Sequence, residues 1–208
     1  MNLVRLLDFT GVGVFAVSGA LAAGARRLDL IGVIVIATVT AVGGGTLRDL
    51  LMNRTVFWFA DPAYLIAIFV AAALTMVYVR FRHPPLRQLE IADALGLAMF
   101  SISGARIAQN AGLADLIVVV IAVITGTFGG VVRDVLCNEI PMILRRGKMY
   151  ASTVIIGASF YVLAPRLGVQ SDVAGLAGMA LIAALRLAAI VWNLKLPVFD
   201  LERHRRAP

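Results

Sequence analysis

The stretch that decides the fold is residues 41–49, which read Ala-Val-Gly-Gly-Gly-Thr-Leu-Arg-Asp. Three glycines, Gly43, Gly44 and Gly45, lie inside a long apolar run, and the charged pair Arg48 and Asp49 follows almost at once. A related segment, Gly-Gly-Val-Val-Arg-Asp, occupies residues 129–134. Two glycine-rich segments that each precede a charged pair in apolar surroundings indicate that something polar passes through this chain.

The rest of the chain has the composition of a membrane protein. It has 208 residues, of which 61% are hydrophobic and 15% charged, and its mean hydropathy is +0.92. Several apolar runs approach about 20 residues, the length that crosses a bilayer as a helix. The runs are continuous rather than alternating, which favours helices over a β-barrel. The sequence therefore predicts an all-α integral membrane protein, a single membrane domain over residues 1–208.

Seven membrane spans are predicted, and the second and fifth are interrupted at the glycines. The first is assigned to the mature protein, because Asp8 begins its apolar run and the segment resembles an internal one. A basic tail at 195–208 follows the last span. The predicted spans are about 7–25, 30–52, 62–79, 91–108, 113–137, 149–164 and 173–192.

The distribution of Lys and Arg predicts the orientation of the chain in a bacterial inner membrane. With seven spans the termini lie on opposite faces, and the face that includes the C-terminus carries twelve basic residues against four on the other. The C-terminus is therefore expected in the cytoplasm and the N-terminus outside. The net charge of +7 is attributed to these basic loops rather than to a nucleic-acid partner. The twelve are Arg26, Arg27, Arg80, Arg82, Arg87, Arg145, Arg146, Lys148, Lys195, Arg203, Arg205 and Arg206, and the four are Arg5, Arg54, Arg106 and Arg166.

An internal repeat appears when the chain is shifted by 85 residues. Asp8 then falls on Asp93, and Ser18 on Ser103, in the same gapless register as the two Gly-Gly-x-x-Arg-Asp segments. We interpret the chain as two three-span repeats, at about 5–82 and 88–167, followed by a seventh helix at about 171–194. Because three is odd, the second repeat enters the membrane from the opposite face, as in many transporters with inverted repeats.

The glycines admit two interpretations. They break the second and fifth helices, which would free backbone carbonyls near Gly43 and Gly129 to face a monovalent cation. Alternatively they let two helices approach closely. The tripled glycine and its counterpart at Gly129 and Gly130 favour the break.

The charged pairs are the strongest candidates for a site. A charge within the bilayer normally faces the bundle interior or water, although Arg48 lies near a span end and its side chain could extend to the headgroups. Because helix neighbours point about 100° apart, we expect pairing across the two halves, Arg48 with Asp134 and Arg133 with Asp49.

Further polar residues fall at positions from which they could line a pathway. Asp8 and Asp93 each begin the first span of a repeat, where they either stabilise the helix N-terminus or attract cations at a pathway mouth. Ser18 and Ser103 offer hydroxyl groups at membrane depth. Arg186 stands alone in the seventh span without an assigned role. The chain contains no metal-spaced His or Cys cluster and no nucleophile motif, so neither an enzyme nor a cofactor is predicted.

These residues together resemble the bacterial branch of the trimeric intracellular cation (TRIC) channel family, over essentially the whole chain. The resemblance implies a homotrimer in membrane lipid, with one pathway per protomer for potassium, sodium or other monovalent cations, shaped by the glycine-containing helices. Phe128 stands where the first repeat has Gly43, which suggests an asymmetric constriction. Related bacterial sequences are also classed as glycine transporters. A cation channel, a carrier for a small zwitterion such as glycine and a structural scaffold therefore remain as alternatives, and the duplicated charges disfavour the scaffold.

Overall fold

The protein is all-helical in the residues that the computed structural model describes, 3–82 and 87–197. Each of the seven predicted spans is a helix, and six of them are long and apolar enough to cross a membrane. The predicted sixth span is shorter, at 13 residues, and a 3-10 turn at Ala164–Leu167 extends it. The helices are α1 Leu3–Ala25, α2 Leu30–Leu51, α3 Phe57–Ala60, α4 Ala63–Phe81, α5 Arg87–Asn110, α6 Asp115–Leu136, α7 Ala151–Leu163 and α8 Ser171–Val191.

Two short elements were not predicted, the one-turn helix α3 and a 3-10 turn at Met142–Leu144. Both follow the C-terminus of a glycine-containing helix. The two histidines, to which the sequence assigns no role, and most of the basic tail lie outside the described residues.

Four helices form the centre of the molecule. α1 packs against α2 and α5, α5 packs against α6, and α2 crosses α6. α4 covers α1 and α2 on one side, while α7 and α8 cover α5 and α6 on the other. α1 and α5 are the most buried of the long helices. Their small residues, such as Ala16 and Ala98, allow this close packing because lipid supplies no hydrophobic force between helices.

The predicted helix breaks at the glycines are wrong for this structure. α2 is a continuous α-helix through Gly43–Gly45, and α6 is continuous through Gly129 and Gly130. The glycines instead serve a close helix crossing: a Cβ at Gly44 would overlap the carbonyl oxygen of Thr125, and a Cβ at Gly129 would overlap that of Thr40. The carbonyls of a continuous helix are engaged in its own hydrogen bonds, so the expected cation site at these carbonyls loses its basis.

The contacts between the halves are duplicated at the 85-residue offset. Just as Gly44 meets Thr125 and Gly129 meets Thr40, a Cβ at Gly11 would lie 2.7 Å from the Phe100 ring, and one at Gly96 would lie 2.7 Å from the Phe15 ring. Each contact therefore recurs with the halves exchanged, which is the pattern that a two-fold relation between them produces.

Candidate functional site

The first polar cluster consists of Asp8, Arg48, Asp49 and Ser103, where α1, α2 and α5 meet. Arg48 Nε donates a hydrogen bond to Asp49 Oδ1 at 2.9 Å, and its Nη1 lies 3.6 Å from Asp8 Oδ1. Ser103 Oγ donates to the same Asp8 oxygen at 2.5 Å. Arg48 is only 1% exposed, so its guanidinium does not extend to the headgroups. This cluster holds two carboxylates and one guanidinium.

The second polar cluster consists of Ser18, Asp93, Arg133 and Asp134, with Arg186 beside it. Arg133 Nη1 donates to Asp93 Oδ1 at 2.7 Å and to Ser18 Oγ at 2.6 Å. Arg133 Nε donates to Asp134 Oδ1 at 2.8 Å. Arg133 and Asp93 are both fully buried. The cluster repeats the first one at the 85-residue offset.

The predicted charge pairing across the halves is wrong. Each arginine pairs with its own sequence neighbour, Asp49 or Asp134, and with the aspartate of the first helix in its own repeat. The arginine side chain is long enough to curl back to the adjacent residue, although the two Cβ atoms diverge. Only hydroxyl hydrogen bonds, from Ser103 and to Ser18, cross between the halves inside the clusters that the structure describes.

The second oxygen of each paired aspartate holds the following segment of chain. Asp49 Oδ2 accepts the backbone N–H of Phe57 at 3.0 Å, and Asp134 Oδ2 accepts that of Met142 at 2.8 Å. Phe57 and Met142 correspond at the 85-residue offset, and each begins a short helical turn. The two aspartates therefore fix the loops that cover the ends of α2 and α6 as well as their arginines.

Arg186 is a member of the site that the sequence left without a role. It lies on α8 and is 2% exposed. Its Nη1 donates to the Met149 carbonyl at 2.8 Å, its guanidinium is 4.7 Å from the centroid of the Tyr150 ring, and its Nη2 is 4.0 Å from Asp93 Oδ2. A lone arginine within an apolar span normally faces the bundle interior, and that signal was available in the sequence. The identity of its carboxylate partner, Asp93, could not be predicted from the sequence.

A cavity of about 900 Å³ adjoins the first polar cluster; we call it the first cavity. Asp8, Arg48 and Asp49 line its floor, and Arg5 and Asp61 pair with each other on its wall. The pKa of the Asp61 carboxyl lies below its usual value, because the Ala63 N–H and the Arg5 guanidinium donate hydrogen bonds to it. Asp61 therefore remains ionised at neutral pH.

A smaller cavity of about 180 Å³ adjoins the second polar cluster; we call it the second cavity. Asp134, Glu90, Glu139 and Cys137 line it. Residues near the start of α1 line the first cavity and residues near its end line the second, so the two lie at opposite ends of the bundle. The first cluster is thus open to a wide cavity, whereas the second borders a narrow one.

The remaining predicted residues lie between the clusters. The half-buried Phe128 approaches Gly43, since its ring lies 4.0 Å from where a Cβ on that glycine would be. The hydroxyls of Thr40 and Thr125 donate to carbonyls of their own helices, each at 2.6 Å. Gly43, Gly44, Gly129 and Phe128 therefore form the crossing of α2 and α6, one turn before each arginine.

This duplicated helical bundle, with a buried Arg–Asp pair at each end, defines a multi-pass membrane protein of the channel or transporter class. A family model described as glycine transporter matches residues 5–80 and again residues 90–166. The UPF0126 inner membrane protein YadS of Escherichia coli (strain K12) is 46% identical over 207 residues, covering 98% of this chain and 100% of its own. The UPF0126 membrane protein YvgT of Bacillus subtilis (strain 168) is 34% identical, covering 93% of this chain and 95% of its own.

Solved structures give the same result. The TRIC trimeric intracellular cation channel orthologue from Rhodobacter sphaeroides superposes with a TM-score of 0.88 at 38% identity, over 93% of this chain and all of that one. A prokaryotic TRIC channel crystallised in 0.5 M KCl gives a TM-score of 0.82 at 32% identity, over 93% of this chain and 98% of that one. The chain belongs to the bacterial branch of the TRIC channel family, which the glycine transporter model also describes, and it is a multi-pass protein of the bacterial inner membrane.

Proposed function

We propose that this protein is a cation channel, permeable to potassium and sodium, with one ion pathway inside each protomer of a homotrimer. The observation that carries the proposal is the pair of cavities at opposite ends of the bundle, each of which ends on a buried aspartate held by an arginine. Similarity to TRIC cation channels along almost the whole chain supports the same function.

In this proposal the two clusters are the polar stations of the pathway. Asp8 and Asp49 attract a cation that enters the first cavity, and Asp93 and Asp134 do so at the second. Ser18 and Ser103 provide neutral oxygen atoms beside the carboxylates. The α2–α6 crossing, with Phe128 against Gly43, is the constriction between the two stations. The halves are related by a pseudo-two-fold axis in the membrane plane, which the exchanged contacts support.

Asp8→Asn is expected to lower potassium conductance severalfold, because it removes one of two carboxylates from the floor of the first cavity. Purified protein in planar bilayers under a potassium gradient should give discrete currents that reverse near the potassium potential. Asp29→Asn is the matched control: it also removes one carboxylate, but the exposed Asp29 lies in the loop before α2 and asparagine keeps its cap to the Gly32 N–H. Equal conductance in the two variants would contradict the role of Asp8.

A glycine carrier is the second candidate, and two observations favour it. The family model is described as a glycine transporter, and each cluster presents both a guanidinium and carboxylates, which are the partners of a zwitterion's two charges. Proteoliposomes with an imposed glycine gradient separate the candidates. Saturable glycine uptake without single-channel currents would replace the channel proposal with the carrier.

We also propose that the N-terminus lies outside and the C-terminus in the cytoplasm, because basic residues are concentrated on the C-terminal face. A C-terminal fluorescent protein that folds only in the cytoplasm is expected to fluoresce, and a C-terminal phosphatase that is active only in the periplasm is expected to stay inactive. The opposite pair of results would reverse the topology.

A further inference from the structure

The seventh membrane helix contributes a charge to one polar cluster and not to its counterpart. Asp8 and Asp93 are equivalent at the 85-residue offset. Among the described residues, Asp8 has one guanidinium within 4.0 Å, that of Arg48, whereas Asp93 has two, those of Arg133 and Arg186. Because α8 follows the two repeats and packs on α5 and α7, this asymmetry is part of the architecture of the chain.

Contacts other than Asp93 fix the position of Arg186. The Met149 carbonyl accepts its Nη1 at 2.8 Å, and the Tyr150 ring packs against the guanidinium. Its separation of 4.0 Å from Asp93 Oδ2 is an electrostatic contact without a hydrogen bond. The start of α7 thus holds a permanent positive charge next to the carboxylate.

The two clusters consequently differ in formal charge. Asp8, Asp49 and Arg48 sum to −1, whereas Asp93, Asp134, Arg133 and Arg186 sum to zero. Charges act strongly on one another where protein and lipid exclude water. A cation that reaches the second cluster is therefore attracted less strongly than one at the first. This difference arises although both repeats supply two aspartates and one arginine to their clusters.

We propose that Arg186 controls the rate at which cations pass: it neutralises the second polar cluster and so sets the barrier that a cation meets there. The inference rests on the proposed function, because it names what regulates passage through the same site. Arg186 makes the second end of the pathway the one that limits cation flow.

Conductance gives the first test. Arg186→Gln removes the charge and keeps a donor for the Met149 carbonyl, whereas Arg186→Lys keeps the charge. We expect Arg186→Gln to raise potassium conductance at least about threefold and Arg186→Lys to leave it within about a factor of two. Arg106→Gln is the matched control, since Arg106 pairs with Asp172 at the other end of α8. A wild-type conductance in folded Arg186→Gln would overturn the proposal.

A second readout does not depend on conduction. Cys137 is the single cysteine of the chain and lines the second cavity beside Asp134. Cationic and anionic methanethiosulfonate reagents of similar size both modify the Cys137 thiol. The ratio of their two reaction rates reports the local electrostatic potential, because a change in access to the thiol affects both rates alike. Arg186→Gln should raise the cationic-to-anionic ratio at least about threefold, and Arg186→Lys and Arg106→Gln should not. An unchanged rate ratio would overturn the inference even if the protein conducts potassium. A raised rate ratio in a protein that carries no current would support the role of Arg186 and contradict only the proposed channel function.

A further variant pair keeps the test available if Arg186→Gln fails to fold because Asp93 loses a partner. Asp93→Asn/Arg186→Gln removes both charges, which buried sites tolerate better than the loss of one. Its rate ratio is compared with that of Asp93→Asn alone. The double variant should show the higher ratio by the same factor, and equal ratios would show that Arg186 does not set the potential in the second cavity.

Discussion

Gly44→Val is expected to prevent the two halves of the protein from packing, so that little folded protein survives extraction into detergent. A Cβ at Gly44 would overlap the Thr125 carbonyl oxygen, and neither atom can rotate away, because the backbone of α2 fixes the Cβ and the oxygen belongs to the backbone of α6. Overpacking of a core typically costs about 1–3 kcal/mol when side chains can adjust. Here the helices themselves must separate, so we expect a loss at or above that range.

Gly13→Ala is the matched control for this prediction. Gly13 also lies inside a central helix, but nothing stands within 4 Å of the Cβ that the substitution adds. Alanine favours helix over glycine by about 1 kcal/mol, so this variant should be as stable as the parent or more so. Thermal unfolding followed by size-exclusion chromatography measures both. If Gly44→Val unfolds at the same temperature as Gly13→Ala, the crossing of α2 and α6 is looser than described.

Arg133→Gln is expected to lower the free energy of unfolding by about 3–5 kcal/mol, because it leaves Asp93 and Asp134 buried without their main counter-ion. Arg48→Gln should cost at least as much, because it leaves Asp8 and Asp49 with no guanidinium within 4.0 Å among the described residues, whereas Arg186 stays at 4.0 Å from Asp93 in Arg133→Gln. Denaturant unfolding in detergent compares the two variants. A smaller loss in Arg48→Gln would mean that water in the first cavity solvates the two carboxylates.

A double-mutant cycle tests which carboxylate pairs with Arg133. Arg133→Gln combined with Asp93→Asn should show coupling of about 0.5–3 kcal/mol, the range for residues in contact. Arg48→Gln combined with Asp134→Asn should be additive, because no contact joins those two residues in the described structure. Coupling in the second cycle and none in the first would restore the pairing that the sequence suggested.

Much of the fold follows from the sequence, because the bilayer imposes a length and a composition on each span. The repeat offset also identifies the residues that occupy equivalent places in the two clusters, Asp8 with Asp93 and Arg48 with Arg133. The short turn α3 could not be predicted in the same way. Its start depends on a hydrogen bond from Phe57 to the side chain of Asp49, which is a tertiary contact.

The two errors at the site have a common origin. Both predictions rest on local helix properties, namely the propensity of Gly43–Gly45 to unwind and the angle between neighbouring side chains. The packing of α2 against α6 outweighs that propensity, since only glycine allows the Thr125 carbonyl so close. Likewise, the flexible side chain of Arg48 reaches Asp49 despite the divergence of their Cβ atoms. In both cases the outcome depends on how side chains and helices contact one another in the folded structure, which local helix properties do not predict.

During biosynthesis the first half can enter the bilayer with its buried charges already paired, because Asp8, Arg48 and Asp49 all belong to α1 and α2. The second half is equally self-sufficient, with Asp93, Arg133 and Asp134. Inside the two clusters, the hydrogen bonds between the halves set a neutral serine hydroxyl against a charged group: Ser103 donates to Asp8, and Ser18 accepts from Arg133. Glycine–threonine contacts also join the halves. Such a division suits assembly in two stages, in which helices insert first and associate afterwards. Each of these four aspartates therefore has the arginine of its own half within 4.0 Å before the two halves associate.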